Sequence, residues 1–256
     1  MPGRRIVISW SPKSGCTHVV TWFFLKTGHL QRANAYHAWP HRYRKDIYNR
    51  TTAYRQYITE LQESGGKGYT HIKITREPIK RLVSILRHVC RHSFMHEELL
   101  RKLNLNAAQH GVSLLDLRRY LGGENLIRPS AVDPHLCAQI HPVWSLSFDR
   151  IITLNMDQTE LNFGINAIER ELGMDETRFA DNPKFNRVRE SHYAKSGEYD
   201  GPEPIEEHRF MPSETRSFPK RQLTESVILQ QMAREFYAPD FGKVDSGDTA
   251  GRLFTV

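Results

Sequence analysis

Apolar and polar positions along the chain fall into alternating strand-like and helix-like stretches. Arg5 to Trp10 (RIVISW) is a short, β-branched apolar run, which predicts a buried strand. Ser11 to Gly15 is turn-rich. Cys16 to Lys26 (CTHVVTWFFLK) is apolar on most sides and predicts a buried helix stopped by Gly28. A further helix is predicted from Tyr43 to Ser64, ended by Gly65 and Gly66. Tyr69 to Thr75 alternates as a second strand. Apolar residues at 79, 82, 83, 86, 89 and 90 then form a helical stripe over Ile79 to Arg91, with Pro78 where a first helical turn tolerates it. Residues 94–122 read as helix up to Gly122 and Gly123, and 123–147 are less regular. Arg150 to Leu154 is a third strand candidate. Thr159 is the expected cap of a helix with Leu161, Ile165, Ile168 and Leu172 on one stripe, closed by Gly173. Residues 174–221 are polar and Pro-rich, reading as a long ordered loop, a lid or a partly disordered segment. A last helix is expected from Thr224 to Tyr237.

Strands alternating with helices predict an α/β fold: a three-layer parallel sheet flanked by helices. Such sheets bind ligands beyond the carboxyl ends of their strands. Two loops therefore matter most, Ser11–Thr17 after the first strand and Arg76–Pro78 after the second.

Composition bounds this picture. The 256 residues, 39% of them hydrophobic, suffice for a core and exclude a disordered chain, a collagen-like chain and a coiled-coil rod. The expected organisation is one domain over 1–242 with a mobile tail over 243–256. No apolar run approaches the ~20 residues of a membrane helix, and Met1 to Ile8 lacks the apolar region of a secretory signal. The three cysteines are widely spaced, with no CxxC pair, which argues against a disulfide framework or a zinc site. A reducing, cytoplasmic setting is the expectation. Charge is asymmetric: residues 1–128 carry 22 Lys/Arg against 8 Asp/Glu, and residues 129–256 carry 14 against 21. A basic half implies an anionic partner, or else a solvated surface balanced by an acidic one.

The segment Pro12-Lys13-Ser14-Gly15-Cys16-Thr17 lies between a strand and a helix N-terminus, where backbone N–H groups and the helix dipole favour an anion. Gly15 permits close backbone approach, Lys13 adds a point charge, and Ser14 and Thr17 add hydroxyls. The result describes a phosphate cradle, without the GxxxxGK[ST] of the usual NTPase loop. In Arg76-Glu77-Pro78-Ile79-Lys80-Arg81-Leu82-Val83-Ser84, Arg76 closes the strand. Ser84 is expected on a polar helix face with Arg81 and His88. Arg grips phosphate in bidentate fashion, and a Ser hydroxyl completes such a site.

Taken as a pair, these segments resemble the sulfotransferases that use 3′-phosphoadenosine 5′-phosphosulfate (PAPS). PKSGCT is similar to their 5′-phosphosulfate loop, and Thr75 to Ser84 to their 3′-phosphate motif. Three further pieces resemble the carbohydrate-type branch, the sulfotransferase family 2-like group. These are Asp133-Pro134-His135 with Gln139, Phe148 to Ile152, and Phe236 to Phe241 (FYAPDF). The resemblance implies a P-loop-NTPase-like sulfotransferase fold and PAPS as donor, with its 3′,5′-bisphosphate PAP as product and no metal. The acceptor implied is a hydroxyl, tilted toward a sugar. Pro12, Lys13, Ser14, Gly15, Cys16 and Thr17 would hold the phosphosulfate, and Arg76 and Ser84 the 3′-phosphate. Lys13 would also stabilise the leaving group.

A general base is required, and histidine suits it near neutral pH. Among 13 histidines, His37 and His135 rank ahead of His41, and a Glu base stays open. Cys16 reads as a loop residue donating its N–H rather than as a nucleophile. Tyr36, Trp39 and Tyr43, with Arg42 and Arg44, would either face an acceptor or simply pack. Arg187, Arg189 and Lys195 form no clean motif. The rival readings are a nucleotide kinase or NTPase with a degenerate loop, and a non-enzymatic binder of nucleic acid or acidic polysaccharide. The sulfotransferase reading expects no nucleic-acid partner.

Overall fold

A computed structural model describes residues 4–192 and 195–245, with the side chains at 188–192 and 242–245 excepted. In chain order the elements are β1 (Ile6–Trp10), α1 (Cys16–Lys26), α2 (Leu30–Tyr36), α3 (Pro40–Asp46), α4 (Thr52–Glu63), β2 (Thr70–Thr75) and α5 (Pro78–Arg91). There follow α6 (Ser93–Leu103), α7 (Ala107–His110), α8 (Leu114–Gly122), β3 (Arg150–Asn155), α9 (Leu161–Glu171) and α10 (Pro183–His192). The chain ends with β4 (Lys195–Ser196), β5 (Ser217–Phe218), α11 (Lys220–Glu225), α12 (Val227–Phe236) and α13 (Ala238–Asp245). Contacts divide the chain into two compact units, one built from residues up to Thr75 and from His141 to His192, the other from Arg76–Ile140 and Tyr193–Asp245. Of the tail expected over 243–256, the first three positions close α13 and the rest lies outside the described residues.

In the first unit, β1, β2 and β3 form a parallel sheet in that order, with Trp10 opposite Ile74 and Thr75 opposite Asn155. The strands' period of two divides their residues between two covers. Ile6, Ile72, Ile74, Ile152 and Leu154 pack with Val19 and Trp22 of α1 and Ile165 and Ile168 of α9. Val7 and Tyr69 pack with Leu61 of α4 and with Val143, Leu146 and Phe148. Helices thus cover both faces of a small parallel sheet, as the alternation predicts. A buried carboxylate staples α1 to α9: Glu169 accepts from Trp22 Nε1 at 2.7 Å and pairs with Lys26 Nζ at 2.8 Å. Helix α1 ends as expected at Gly28, whose φ of 71° lets Gly28 N–H reach Leu25 O and His29 N–H reach Phe24 O.

The second unit is helical around one core. Leu82, Ile85, Leu86 and Val89 of α5 pack with Leu114, Leu117 and Leu121 of α8, Leu229 and Met232 of α12, and Phe210 and Phe218.

Several expected elements are broken where a side chain competes for the backbone. The helix predicted over 43–64 becomes α3, a 3-10 turn and α4, because Thr51 is extended and its Oγ1 accepts from Tyr54 N–H at 3.2 Å. The stretch 94–122 becomes three helices. Asn104 takes φ 53°, Asn106 caps α7, and Ser113 with Asp116 forms a capping box for α8. The cap of α9 is Glu160, not Thr159. Ser226 divides the last predicted helix by capping α12 through Leu229 N–H at 3.2 Å. Residues 174–221 hold α10, two 3-10 turns and the short parallel pair β4–β5, more order than their composition suggests. Among the described residues no helix is long and apolar enough to cross a membrane.

Candidate active site

Strands β1 and β2 are parallel and in register, so the chain leaves both at one edge of the sheet. The loop after β1 holds Pro12, Lys13, Ser14, Gly15, Cys16 and Thr17 together as one turn. Ser14 N–H donates to Ser11 O at 3.2 Å, and Ser14 is fully buried. Two residues sit in the left-handed region, Lys13 at φ 71° and Gly15 at φ 70°. For lysine this conformation costs energy, and such strain clusters at ligand-binding turns. No side chain caps the N-terminus of α1, and its first turn has no acidic residue. A helix start of this kind presents its amides and positive dipole end to an anion. Ser11 Oγ and Thr75 Oγ1, at the ends of β1 and β2, are buried without a hydrogen-bond partner.

The aromatic and basic segment after α1 divides in two. Tyr43 is core, packed edge-on against Phe24, and His41 is buried between Trp10 and Trp39. Tyr36 and Trp39 are exposed, and Arg42 pairs with Asp46 at 2.7 Å. Arg44 lies half-buried with its guanidinium 5.2 Å from the Trp10 ring centroid, and Cys16 and Tyr54 are its nearby titratable neighbours. His37 is exposed, and its Nδ1 accepts from Trp39 N–H at 2.9 Å. That bond puts the neutral ring's proton on Nε2, leaving His37 poorly set as a base.

The second unit holds Arg76, Ser84 and His135. Glu77 caps α5, accepting from Ile79 N–H at 3.0 Å and Lys80 N–H at 2.7 Å. Ser84 is half-buried, but Arg81 and His88 are buried rather than on the solvated polar face expected for them. Their burial is explained by partners. Arg81 Nη2 donates to Cys137 O at 2.6 Å, and Nη1 lies 3.6 Å from the Asp240 carboxylate. Asp240 also accepts Gln139 N–H at 2.7 Å. The Gln139 side chain binds both backbone groups of Arg76, accepting its N–H at 2.9 Å and donating to its C=O at 2.7 Å. Arg76 is thus held by its main chain. Lys220, at the start of α11, has its pKa lowered by burial and by the charges of Arg87 and Arg76. Lys220 thus lies within electrostatic reach of both arginines, and positive charge so placed favours an anion nearby. Sequence reading missed Lys220 and Arg87. The only signal was Lys220-Arg221 after a Pro, inside a stretch without periodicity.

His135 has the geometry that His37 lacks. Its Nδ1 lies 2.6 Å from Asp133 Oδ1, which also accepts His135 N–H at 2.7 Å. An imidazole bonded to a carboxylate through Nδ1–H carries its free lone pair on Nε2. The Asp133 carboxyl is held well below the usual carboxylate range: burial opposes this, but hydrogen bonds from His135 and His88 prevail. The sequence shows no metal-ligand spacing, yet the fold brings His88, Asp133 and His135 together, the only such group among the described residues. Of the late basic residues, Lys195 is exposed in β4, Arg187 is exposed in α10, and the Arg189 side chain lies outside the described residues.

A parallel sheet with a strand-to-helix loop of this geometry is an architecture that anion-binding proteins use. The chain belongs to the sulfotransferase family: the model of that family's family 2 branch matches residues 3–242. It is therefore a sulfotransferase, an enzyme that uses a sulfate donor. Searches of curated proteins and of solved structures returned no significant match.

Proposed function

We propose that this enzyme moves a sulfuryl group from PAPS to an acceptor hydroxyl, on a carbohydrate, using a P-loop-NTPase-like sulfotransferase fold. The observation that carries the donor is the Ser11–Gly15 turn, with left-handed Lys13 and Gly15 at the uncapped start of α1. In this reading Lys13, Ser14 and the amides of Cys16 and Thr17 hold the phosphosulfate. Arg76, Ser84 and Lys220 hold the 3′-phosphate, a group that ADP and ATP lack. Transfer is an in-line displacement: the acceptor oxygen bonds to sulfur as the bond from sulfur to the bridging phosphate oxygen breaks. Lys13 and the loop amides take up charge on that oxygen. His135 Nε2 receives the acceptor proton, and Asp133 stabilises the imidazolium that forms. Of the two histidines that the sequence ranks first, His37 and His135, this reading takes His135 as the base.

Thermal shifts with 3′,5′-ADP, ADP and ATP test the donor. Selective stabilisation by 3′,5′-ADP that is lost in Arg76→Ala and weakened in Ser84→Ala is expected. An equal, Mg²⁺-dependent response to ADP and ATP would favour the kinase reading, and no nucleotide effect would favour the acidic-polymer reading. Mass spectrometry of sugars incubated with PAPS tests the acceptor.

A further inference from the structure

We propose that His88, Asp133 and His135 form a binding site for a divalent transition metal, with Zn²⁺ as its best fit. One ligand atom from each of the three lies within 4.8 Å of the other two. Tetrahedral zinc ligands sit about 3.4 Å apart, so side-chain adjustments of about 1 Å close the set. The donors are two imidazoles and one carboxylate, which suit Zn²⁺, Co²⁺ or Ni²⁺ far better than the all-oxygen preference of Mg²⁺ or Ca²⁺. Three protein ligands leave a fourth position for water or an anion.

The group is pre-arranged. The His88 and His135 rings lie 4.2 Å apart, and both address the Asp133 carboxylate, at 3.5 Å and 2.6 Å. His88 is fixed on a 14-residue helix and is only 4% exposed. Asp133 and His135 sit on a loop that Arg81 holds through the Cys137 carbonyl at 2.6 Å. His135 is the exposed member, with its side chain 36% accessible, and gives an ion its way in. The His92 ring, 4.5 Å from His88, and the Phe94 ring, 5.7 Å from it, pack beside the site. The ion would occupy the imidazole assigned above as the base. The site thus rests on that reading only for its consequence: bound Zn²⁺ silences transfer.

The test uses the full chain, freed of metal by chelator, and its binding arm needs neither donor nor acceptor. Zn²⁺ is titrated against a chromophoric chelator, and Co²⁺ is followed by its visible d–d bands. One equivalent is expected, with Co²⁺ bands of a low-coordinate N/O site. His135→Gln, on the accessible loop, and His88→Gln should each weaken binding by more than the ~10–100-fold that outer-shell changes cost. Unaltered circular dichroism verifies their folding, and Zn²⁺ should raise the unfolding temperature of wild type but of neither variant. Absence of stoichiometric uptake, or equal uptake by wild type and His135→Gln, overturns the site. Binding without inhibition of transfer would leave the metal site standing and remove His135 from the base role.

Discussion

Gln139 offers the most direct way to ask whether the second unit is built to aim Arg76. Its side chain is 1% exposed and makes two hydrogen bonds to one residue, to Arg76 N–H at 2.9 Å and Arg76 C=O at 2.7 Å. Gln139→Met keeps the volume but removes both partners. Each buried backbone group left without a partner costs ~1–3 kcal/mol, so the two together cost ~2–6. Arg76 is only half-buried, and water recovers part of this, so a loss of about 2–4 kcal/mol is expected. Gln139→Glu should cost more. It retains the acceptor for Arg76 N–H but sets a carboxylate oxygen against Arg76 C=O, close to the Asp240 carboxylate that holds Gln139 N–H at 2.7 Å. Urea unfolding measures the stability term. Titration with 3′,5′-ADP measures the functional one, where a freed Arg76 should weaken binding by about 10–100-fold, or ~1.4–2.8 kcal/mol. A Gln139→Met protein with wild-type stability would refute the clamp. Lost stability with unchanged 3′,5′-ADP affinity would refute the donor role of Arg76 and leave the clamp purely structural.

Three further outcomes follow from the first unit. Lys13→Ala should cut turnover on the order of 100-fold or more, read from initial rates at saturating donor, and near-normal turnover would remove Lys13 from leaving-group stabilisation. Gly15→Ala should destabilise by ~1–2 kcal/mol from its φ of 70° alone and weaken donor binding, because the added methyl meets Leu161 Cδ2 at 3.0 Å. An unchanged unfolding midpoint would show that the loop relaxes freely. Acid should destabilise the fold through His71 and His18, whose pKa values burial lowers from 6.5 to about 4. The unfolded chain then binds protons that the folded chain refuses, so stability is full above pH 6.5 and falls toward pH 4, by on the order of 3 kcal/mol per histidine. A urea midpoint that stays flat across that window, or a slope that His71→Gln leaves unaltered, would contradict this.

What the sequence revealed and what it hid divide along local and non-local physics. Strands β1, β2 and β3 and helices α1 and α5 were legible because their apolar periods run uninterrupted and, β3 apart, a Gly or Pro marks an end. The caps at Thr51, Asn106 and Ser226 that break the predicted helices were not, because each depends on one short polar side chain choosing a backbone N–H over solvent. The phosphate-type loop was legible as an uninterrupted hexapeptide between two clear elements. The influence of Arg76 and Arg87 on Lys220 was not, since Lys220 lies far along the chain within a segment of no period. The choice between His37 and His135 had no sequence solution at all. It turns on whether Nδ1 accepts from Trp39 N–H or faces Asp133.

Two of the sequence pieces, Asp133 to His135 with Gln139 and Phe236 to Phe241, are parts of one node, and backbone accounting explains why they occur together. Residues 136–139 form neither helix nor strand, yet Leu136, Cys137, Ala138 and Gln139 are all at most 4% exposed. Buried backbone without secondary structure must find partners elsewhere. Leu136 O accepts from the Tyr237 hydroxyl at 2.7 Å, Cys137 O from Arg81 at 2.6 Å, and Gln139 N–H donates to Asp240 at 2.7 Å. Backbone meets Leu136 N–H at Asp133 O and Ala138 N–H at Leu126 O, each 2.9 Å away. FYAPDF therefore acts as two side chains, Tyr237 and Asp240, that close off a loop about a hundred residues upstream. Burying the Arg81–Asp240 charges has a desolvation cost that an apolar pair would avoid. An apolar pair would leave Cys137 O and Gln139 N–H without partners, and with them the footing of His135 on one side and Arg76 on the other.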